Sequence, residues 1–206
     1  TSIKKKKLPA MELFSALVKE RAETGRIYIM NVDHSNEHSS FKDKVYMSNL
    51  CQEITLPTKP LSHIDDPDGE IALCILSAIN VGVIKDLDDL EELCELAVRA
   101  LEEIIDYQAY PVKAAEISTK ARRSLGIGYI GLAHYLAKNK VKFDDPQSWK
   151  LVHDLTEAFQ YYLLKASNKL AQERGACDYF DRTKYSDGIL PIDTYKKDVD
   201  TIVENK

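Results

Sequence analysis

The sequence is poor in cysteine, glycine and tryptophan, and it holds no long apolar run. Its four cysteines, Cys51, Cys74, Cys94 and Cys177, are too few and too scattered for a disulfide framework, and no CxxC pair points to zinc. A reducing, cytoplasmic setting is therefore expected. No stretch reaches the roughly 18 apolar residues that a membrane span requires, and no signal-peptide pattern opens the sequence. A surplus of positive charge is missing too: 28 basic residues stand against 33 acidic ones, for a net charge of −5. A broadly basic nucleic-acid-binding surface is not indicated, a local patch aside. What is present, 44% apolar and 30% charged types in 206 residues, is the composition of one ordinary globular domain or two small ones. The chain opens on Thr1 and stops in mid-pattern at Val203-Glu204-Asn205-Lys206. Its length is expected to be that of a piece rather than of a whole protein.

Lys4-Lys5-Lys6-Lys7 reads as a solvated charge run. Pro9 suits a first helical turn, Leu13, Phe14, Leu17 and Val18 follow at helical spacing, and Gly25 is placed to end that helix. Residues 26–32 are rich in β-branched and aromatic types and predict a strand. Residues 33–46 read as polar and irregular, and residues 47–56 as a second extended segment closed by Pro57 and Pro60. Asp65-Asp66-Pro67-Asp68-Gly69 is a turn by its chemistry. Residues 71–76, a continuous apolar run, predict a strand buried on both faces. The strongest helix covers 86–110, with Leu90, Leu93, Cys94, Ala97, Leu101, Ile104 and Ile105 on one stripe and acids in its first turn. A second long helix runs over 146–174, with Asp145 as N-cap and Gly175 just past its end. Shorter helices are expected at 113–122, 129–139 and 194–204. Short strands alternating with long helices argue for an α/β fold with parallel strands, although only three or four strands can be found.

The chemically densest segment is Ser48-Asn49-Leu50-Cys51-Gln52-Glu53. In an extended chain, side chains two apart share a face at about 6.6 Å spacing, so Asn49, Cys51 and Glu53 would point one way. A carboxylate that exchanges a proton, an amide that holds a hydroxyl and a sulfur capable of nucleophilic or one-electron chemistry make a catalytic set. The alternative is a half-exposed strand with a polar face and an incidental cysteine. By pattern, Cys74 in its apolar run reads as an inert core cysteine and Cys94 as packing, while Cys177 has no evident partner chemistry. Gly126-Ile127-Gly128-Tyr129-Ile130-Gly131 fits GxGxxG, but Lys120-Ala121-Arg122-Arg123-Ser124 before it is no hydrophobic strand, which argues against dinucleotide binding. His34-Ser35-Asn36-Glu37-His38 fits HxxEH, yet its surroundings read as loop, which argues against a zinc protease. Arg122-Arg123 could meet a phosphate, but such pairs are more often solvated or ion-paired.

Ser48-Asn49-Leu50-Cys51-Gln52-Glu53-Ile54, continued by Leu56-Pro57-Thr58-Lys59-Pro60-Leu61, resembles the large (α) subunit of class I, aerobic ribonucleoside-diphosphate reductases of bacterial and phage type. Further matching stretches are Thr24-Gly25-Arg26-Ile27-Tyr28, Asn31-Val32-Asp33-His34, Gly69-Glu70-Ile71-Ala72-Leu73-Cys74, Arg122-Arg123-Ser124-Leu125-Gly126-Ile127-Gly128 and Gly188-Ile189-Leu190-Pro191-Ile192-Asp193-Thr194-Tyr195. The resemblance covers the chain from about residue 20 onward. It implies that residues 1–206 are part of a catalytic ten-stranded α/β barrel, an incomplete portion with a finger loop at about 47–56 and long flanking helices. It implies that Cys51 at the loop tip carries a thiyl radical that abstracts the 3′ hydrogen of a ribonucleoside diphosphate. Glu53 would be the base at the 3′ hydroxyl, and Asn49 would bond substrate hydroxyls. Cys74 would be one of two thiols that close into a disulfide at each turnover, against its pattern-based reading. The GxGxxG and HxxEH segments become a strand-to-helix turn and a barrel-edge loop, needing neither nucleotide nor metal.

The resemblance further implies that this segment itself binds no cofactor. The family uses a radical-generating, metal-containing small β subunit, ATP and deoxynucleotide effectors, and a thioredoxin- or glutaredoxin-type dithiol. The second redox thiol, effector cone and upstream barrel half would lie before this segment. The diphosphate-gripping loop, radical tyrosine pair and tail dithiol would lie after it. Activity would then require the remaining parts of the α subunit, as one chain or as a complementary one. Two other classes remain open: a non-catalytic interaction module descended from a reductase, and a cysteine hydrolase using Cys51 with Glu53, which lacks an evident histidine base.

Overall fold

In the computed structural model, which describes residues 5–195, two parallel strands make the one sheet among the described residues. Strand β1 (Ile75–Asn80) pairs with β2 (Leu125–Ile130), from Ile75 opposite Leu125 to Asn80 opposite Ile130. Parallel neighbours need a long crossover. Here it is supplied by α3 (Asp89–Tyr107) and α4 (Lys113–Arg122). Two helices, α1 (Ala10–Thr24) and α2 (Val32–His38), precede the sheet. Then α5 (Leu132–Lys138) and α6 (Pro146–Arg174) follow β2, ahead of short 3-10 turns at Phe180–Arg182 and Lys184–Asp187. The α/β class holds, with two strands rather than three or four.

The apolar stripe of α3 decides where the core sits. Leu90, Cys94, Val98, Leu101 and Ile105 are buried. Leu90 and Cys94 join Ile79, Val81 and Ile84 around the sheet, and Leu155 and Phe159 from α6, in one cluster. Burying apolar side chains at about 25 cal/mol per Å² makes such a cluster the main source of stability. The flanking ion pairs Lys165–Glu91, Lys169–Glu95 and Arg99–Glu173 align α6 along α3. Being solvated, each is worth at most about 1 kcal/mol. Asp145 caps α6, accepting from the Gln147 N–H at 2.9 Å, with Pro146 in the first turn. By contrast, α1 buries no side chain, and Met11, Leu13 and Phe14 stay exposed along it.

Several expectations need correction. Residues 26–31 form no strand, and the chain instead turns helical at Val32, so the HxxEH segment is helix rather than loop. β-rich composition describes fit to a pleated surface, and no strand among the described residues pairs with this segment. The apolar run 71–76 enters the sheet only at Ile75, and β1 is partly exposed rather than buried on both faces. The glycine-rich segment is strand β2 itself, and the following helix starts at Leu132, not at residue 129. Gly131 makes the turn with φ 81°, where a Cβ would stand 2.4 Å from Asn80 Oδ1. The turn around Asp66 forms as expected. Its carboxylate accepts from the Ser62 hydroxyl and N–H and from the Asp68 N–H, and those bonds lower its pKa to about 2. The predicted helix at 194–204 lies outside the described residues from Lys196 onward.

Candidate functional site

Residues 42–58 form a loop between two isolated antiparallel bridges, Phe41 with Thr183 and Lys59 with Glu70. The tip is not the extended segment read from the sequence. Asn49 C=O accepts from the Gln52 N–H at 3.2 Å, closing a turn with Leu50 and Cys51 at its centre. Gln52 follows with φ 66°, a left-handed conformation that reverses the chain. The Asn49 side chain reaches across the turn and its Oδ1 accepts from the Ile54 N–H at 3.0 Å. Strict alternation is thereby broken, and the one-sided alignment of Asn49, Cys51 and Glu53 as a strand face does not hold. What the turn does instead is expose Cys51 at the apex, beside an exposed Leu50, with Asn49 and Glu53 exposed on either side.

Cys74 lies one residue before β1 and is half-buried, not the fully enclosed core cysteine of the pattern reading. Gly126, paired with Leu76 on the neighbouring strand, lies close by: a Cβ there would come within 2.8 Å of the Cys74 Sγ and 2.4 Å of Leu76 Cδ2. That glycine leaves the thiol its space. Burial pushes the Cys74 thiol above its ordinary value, and the charge of Glu53 adds to the effect. A residue of the loop tip and the thiol at the sheet edge thus share one electrostatic field. Cys94 packs as expected: it is fully buried, its thiol faces Phe159 C=O at 3.9 Å, and burial raises its pKa to about 11. Cys177 is half-buried, and burial raises its thiol as well.

These differences set an expected order of chemical modification. In the folded chain, iodoacetamide should label Cys51 first, Cys74 and Cys177 more slowly, and Cys94 only on unfolding, because reactivity follows thiolate character and access. Timed labelling read by mass spectrometry checks it. Labelling of Cys94 as fast as Cys51 would contradict the burial pattern.

The HxxEH histidines share a face of α2, but the His38 ring stacks on Tyr195 with centroids 4.4 Å apart. Among the described residues no group of three or more His, Cys, Asp or Glu side chains is placed to hold a metal ion. Neither arginine of the Arg122-Arg123 pair is open to a phosphate. Arg123 pairs with Glu102 and Asp106, and Arg122 is buried against Glu70 and Asp43.

Sequence reasoning missed this buried cluster. Glu70 accepts from Arg122 Nη2 at 2.6 Å, with Lys59 Nζ 2.9 Å and Arg182 Nη2 3.3 Å away. Asp43 bridges Arg122 at 2.9 Å and Arg182 at 2.6 Å. Tyr179 lies against both guanidinium groups, 4.0 Å from that of Arg182 and 5.1 Å from that of Arg122. Burial alone would push the Glu70 carboxyl up. The hydrogen bonds from Lys59 and Arg122 and the charges of Arg122 and Arg182 outweigh it and hold the carboxyl below its ordinary range. The one signal available was an acid set between Gly69 and an apolar run.

No helix among the described residues is long and apolar enough to cross a membrane. A family model described as "Ribonucleotide reductase, barrel domain" matches residues 1–205. The ribonucleoside-diphosphate reductase subunit alpha of Haemophilus influenzae is 60% identical over 206 residues, and the reductase 1 subunit alpha of Escherichia coli 58% over 204. Each alignment takes in 98% of this chain. The subunit alpha of Enterobacteria phage T4 is 43% identical across the whole chain. The chain spans 27% of the length of each of these relatives. With a model match over essentially its full length, this chain belongs to the ribonucleotide reductase family and falls within that family's barrel domain.

Proposed function

We propose that this chain supplies the radical-carrying finger loop and one redox thiol of the catalytic barrel in a ribonucleoside-diphosphate reductase. Cys51 is the thiyl-bearing residue that takes the 3′ hydrogen from the substrate. Glu53 serves as base at the 3′ hydroxyl, and Asn49 holds substrate hydroxyls. Removing a hydroxyl as water and leaving hydrogen in its place consumes two electrons and two protons. Two thiols supply both on closing into a disulfide, and Cys74 is one of them. The observation that carries this reading is the loop itself: a tight turn presents Cys51 at its apex while Glu53 stands within electrostatic reach of half-buried Cys74.

The reading places the chain in a ten-stranded barrel completed by the remaining parts of the α subunit. The partners it implies are a small β subunit that generates the radical with its own metal and a thioredoxin- or glutaredoxin-type dithiol. ATP and deoxynucleotides would act as effectors elsewhere on the α subunit. Among the described residues the two strands pair only with each other, which accords with such a role, since unpaired sheet edges are normally covered.

The test is Cys74→Ser in a reconstituted enzyme with its small subunit. A hydroxyl cannot close a disulfide, so steady-state turnover should cease while radical-dependent damage to the substrate persists. Multiple turnovers at the wild-type rate would sink the assignment.

A further inference from the structure

We propose that the Glu70–Arg122–Arg182–Asp43 cluster is a positioning centre that fixes the base of the Cys51 loop, an inference that rests on the reading of Cys51 as the radical-carrying thiol. The loop has two arms, and both end on this cluster. On the incoming arm, Lys42 N–H donates to Arg182 C=O at 2.9 Å and Lys184 N–H to Ser40 C=O at 2.8 Å. One residue on, Asp43 grips both arginine side chains. On the outgoing arm, Lys59 and Glu70 exchange backbone hydrogen bonds at 3.1 and 3.2 Å, and the Lys59 ammonium meets the Glu70 carboxylate. Glu70 side-chain exposure is 2% and that of Arg122 is 3%. The two arms thus reach one buried carboxylate–guanidinium pair, and the separation of the arms is set by its geometry.

A second clamp acts higher on the incoming arm. The Asn36 amide donates to Val45 C=O and its Oδ1 accepts from the Val45 N–H, both at 2.8 Å, with Val45 fully buried. Between Val45 and Pro57 the tip is shaped by its own turn, in which Asn49 Oδ1 accepts from the Ile54 N–H. The position of Cys51 therefore depends on where the arms are anchored.

Ion pairs of this kind are a poor way to gain stability, because desolvation offsets most of the attraction. What they provide is direction: the planar guanidinium donates to carboxylates from a fixed fork. Hydrogen abstraction is steep in distance, and a displacement of about 1 Å at a reacting atom costs on the order of 100-fold in rate. A buried charge cluster at the base of a loop whose tip must be placed that closely fits the need for support behind the reacting group.

The experiment is Glu70→Gln in a full-length α subunit carrying this segment, assayed with its small subunit and dithiol well below the melting temperature of each variant. The amide keeps the volume but cannot balance the two arginines. The expected result is a fall in kcat on the order of 10- to 100-fold with KM for the ribonucleoside diphosphate little changed. Asp43→Asn, at a partly exposed position, is the second variant and decides the matter if Glu70→Gln does not fold. It should lower kcat in the same sense, and Asp43→Glu should restore part of the loss. A merely structural cluster would lower the melting temperature of both variants and leave kcat within about twofold when they are folded, which overturns the proposal. A rise in KM at constant kcat overturns it as well. Cys51→Ser is run alongside: if that variant turns over, the reading of Cys51 fails first, and the inference with it.

Discussion

Cys51→Ser should reduce turnover of the assembled enzyme to background, a loss of at least about 1000-fold, or about 4 kcal/mol of transition-state stabilisation. Serine is close in size and shape and replaces only the sulfur by oxygen, so the comparison bears on the sulfur's chemistry. An S–H bond is weak enough to surrender its hydrogen and, as a thiyl radical, strong enough in re-forming to take one from carbon. An O–H bond is too strong to be opened by the same donor. The change should cost little stability, within about 0.5 kcal/mol, because Cys51 is exposed at the apex of its turn. Turnover and thermal denaturation measured on one preparation separate the two effects. The same assay divides radical chemistry from a cysteine hydrolase: reductase turnover stops when the external dithiol is withheld, and hydrolysis does not. Wild-type rates in Cys51→Ser would refute the assignment of the radical to this residue.

How far the sequence alone leads to that prediction differs from one part of the chain to another. The long helices were legible because their signals are local and repeat, while the short α2, in a stretch read as irregular, was not. The stripe from Leu90 to Ile105 marks α3, and the Asp145 cap and Gly175 bound α6. Helix α4 falls on the predicted residues. Strands were less legible because pairing partners lie far apart in the chain. The apolar run at 71–76 marks the approach to β1, but only the register opposite Leu125 decides that the strand begins at Ile75. Residues 26–31 have strand composition but no strand to join among the described residues.

The loop tip was legible as a set of residue types but not as a shape. Alternation of side chains assumes an extended backbone, and here the left-handed Gln52 and the Asn49 amide replace it with a turn. The residue types in Asn49-Leu50-Cys51-Gln52-Glu53 were what singled out the segment, and the resemblance, not the spacing, supplied the roles proposed for them. Cys74 shows the same division, since an apolar run cannot reveal that a glycine on the neighbouring strand leaves one thiol half-open. The charge cluster left only one trace, the acid between Gly69 and an apolar run. Its members come from Asp43, Lys59, Glu70, Arg122 and Arg182, and only the tertiary fold brings them together.

The second large effect is on stability and reaches the site through the sheet. Leu90→Ala should destabilise the fold by about 2–5 kcal/mol, because Leu90 is fully enclosed and its removal leaves a cavity between α3, α6 and the strands. Against a total of about 5–15 kcal/mol this is a large fraction, and it corresponds to a drop in Tm of roughly 5–15 °C. Leu96→Ala, on the same helix but 64% exposed, should change stability by no more than about 0.5 kcal/mol. Melting curves followed by circular dichroism compare the two, and equal shifts would mean that the α3 stripe is not what holds the sheet. The cavity has a further consequence for chemistry. Leu90 packs in the cluster that includes Ile79 on β1 and Val81 just beyond it, and the strand they anchor begins one residue after Cys74. A strand that opens more often exposes its first neighbour more often, so alkylation of Cys74 should quicken in Leu90→Ala, while that of Cys51, on a loop anchored elsewhere, should not.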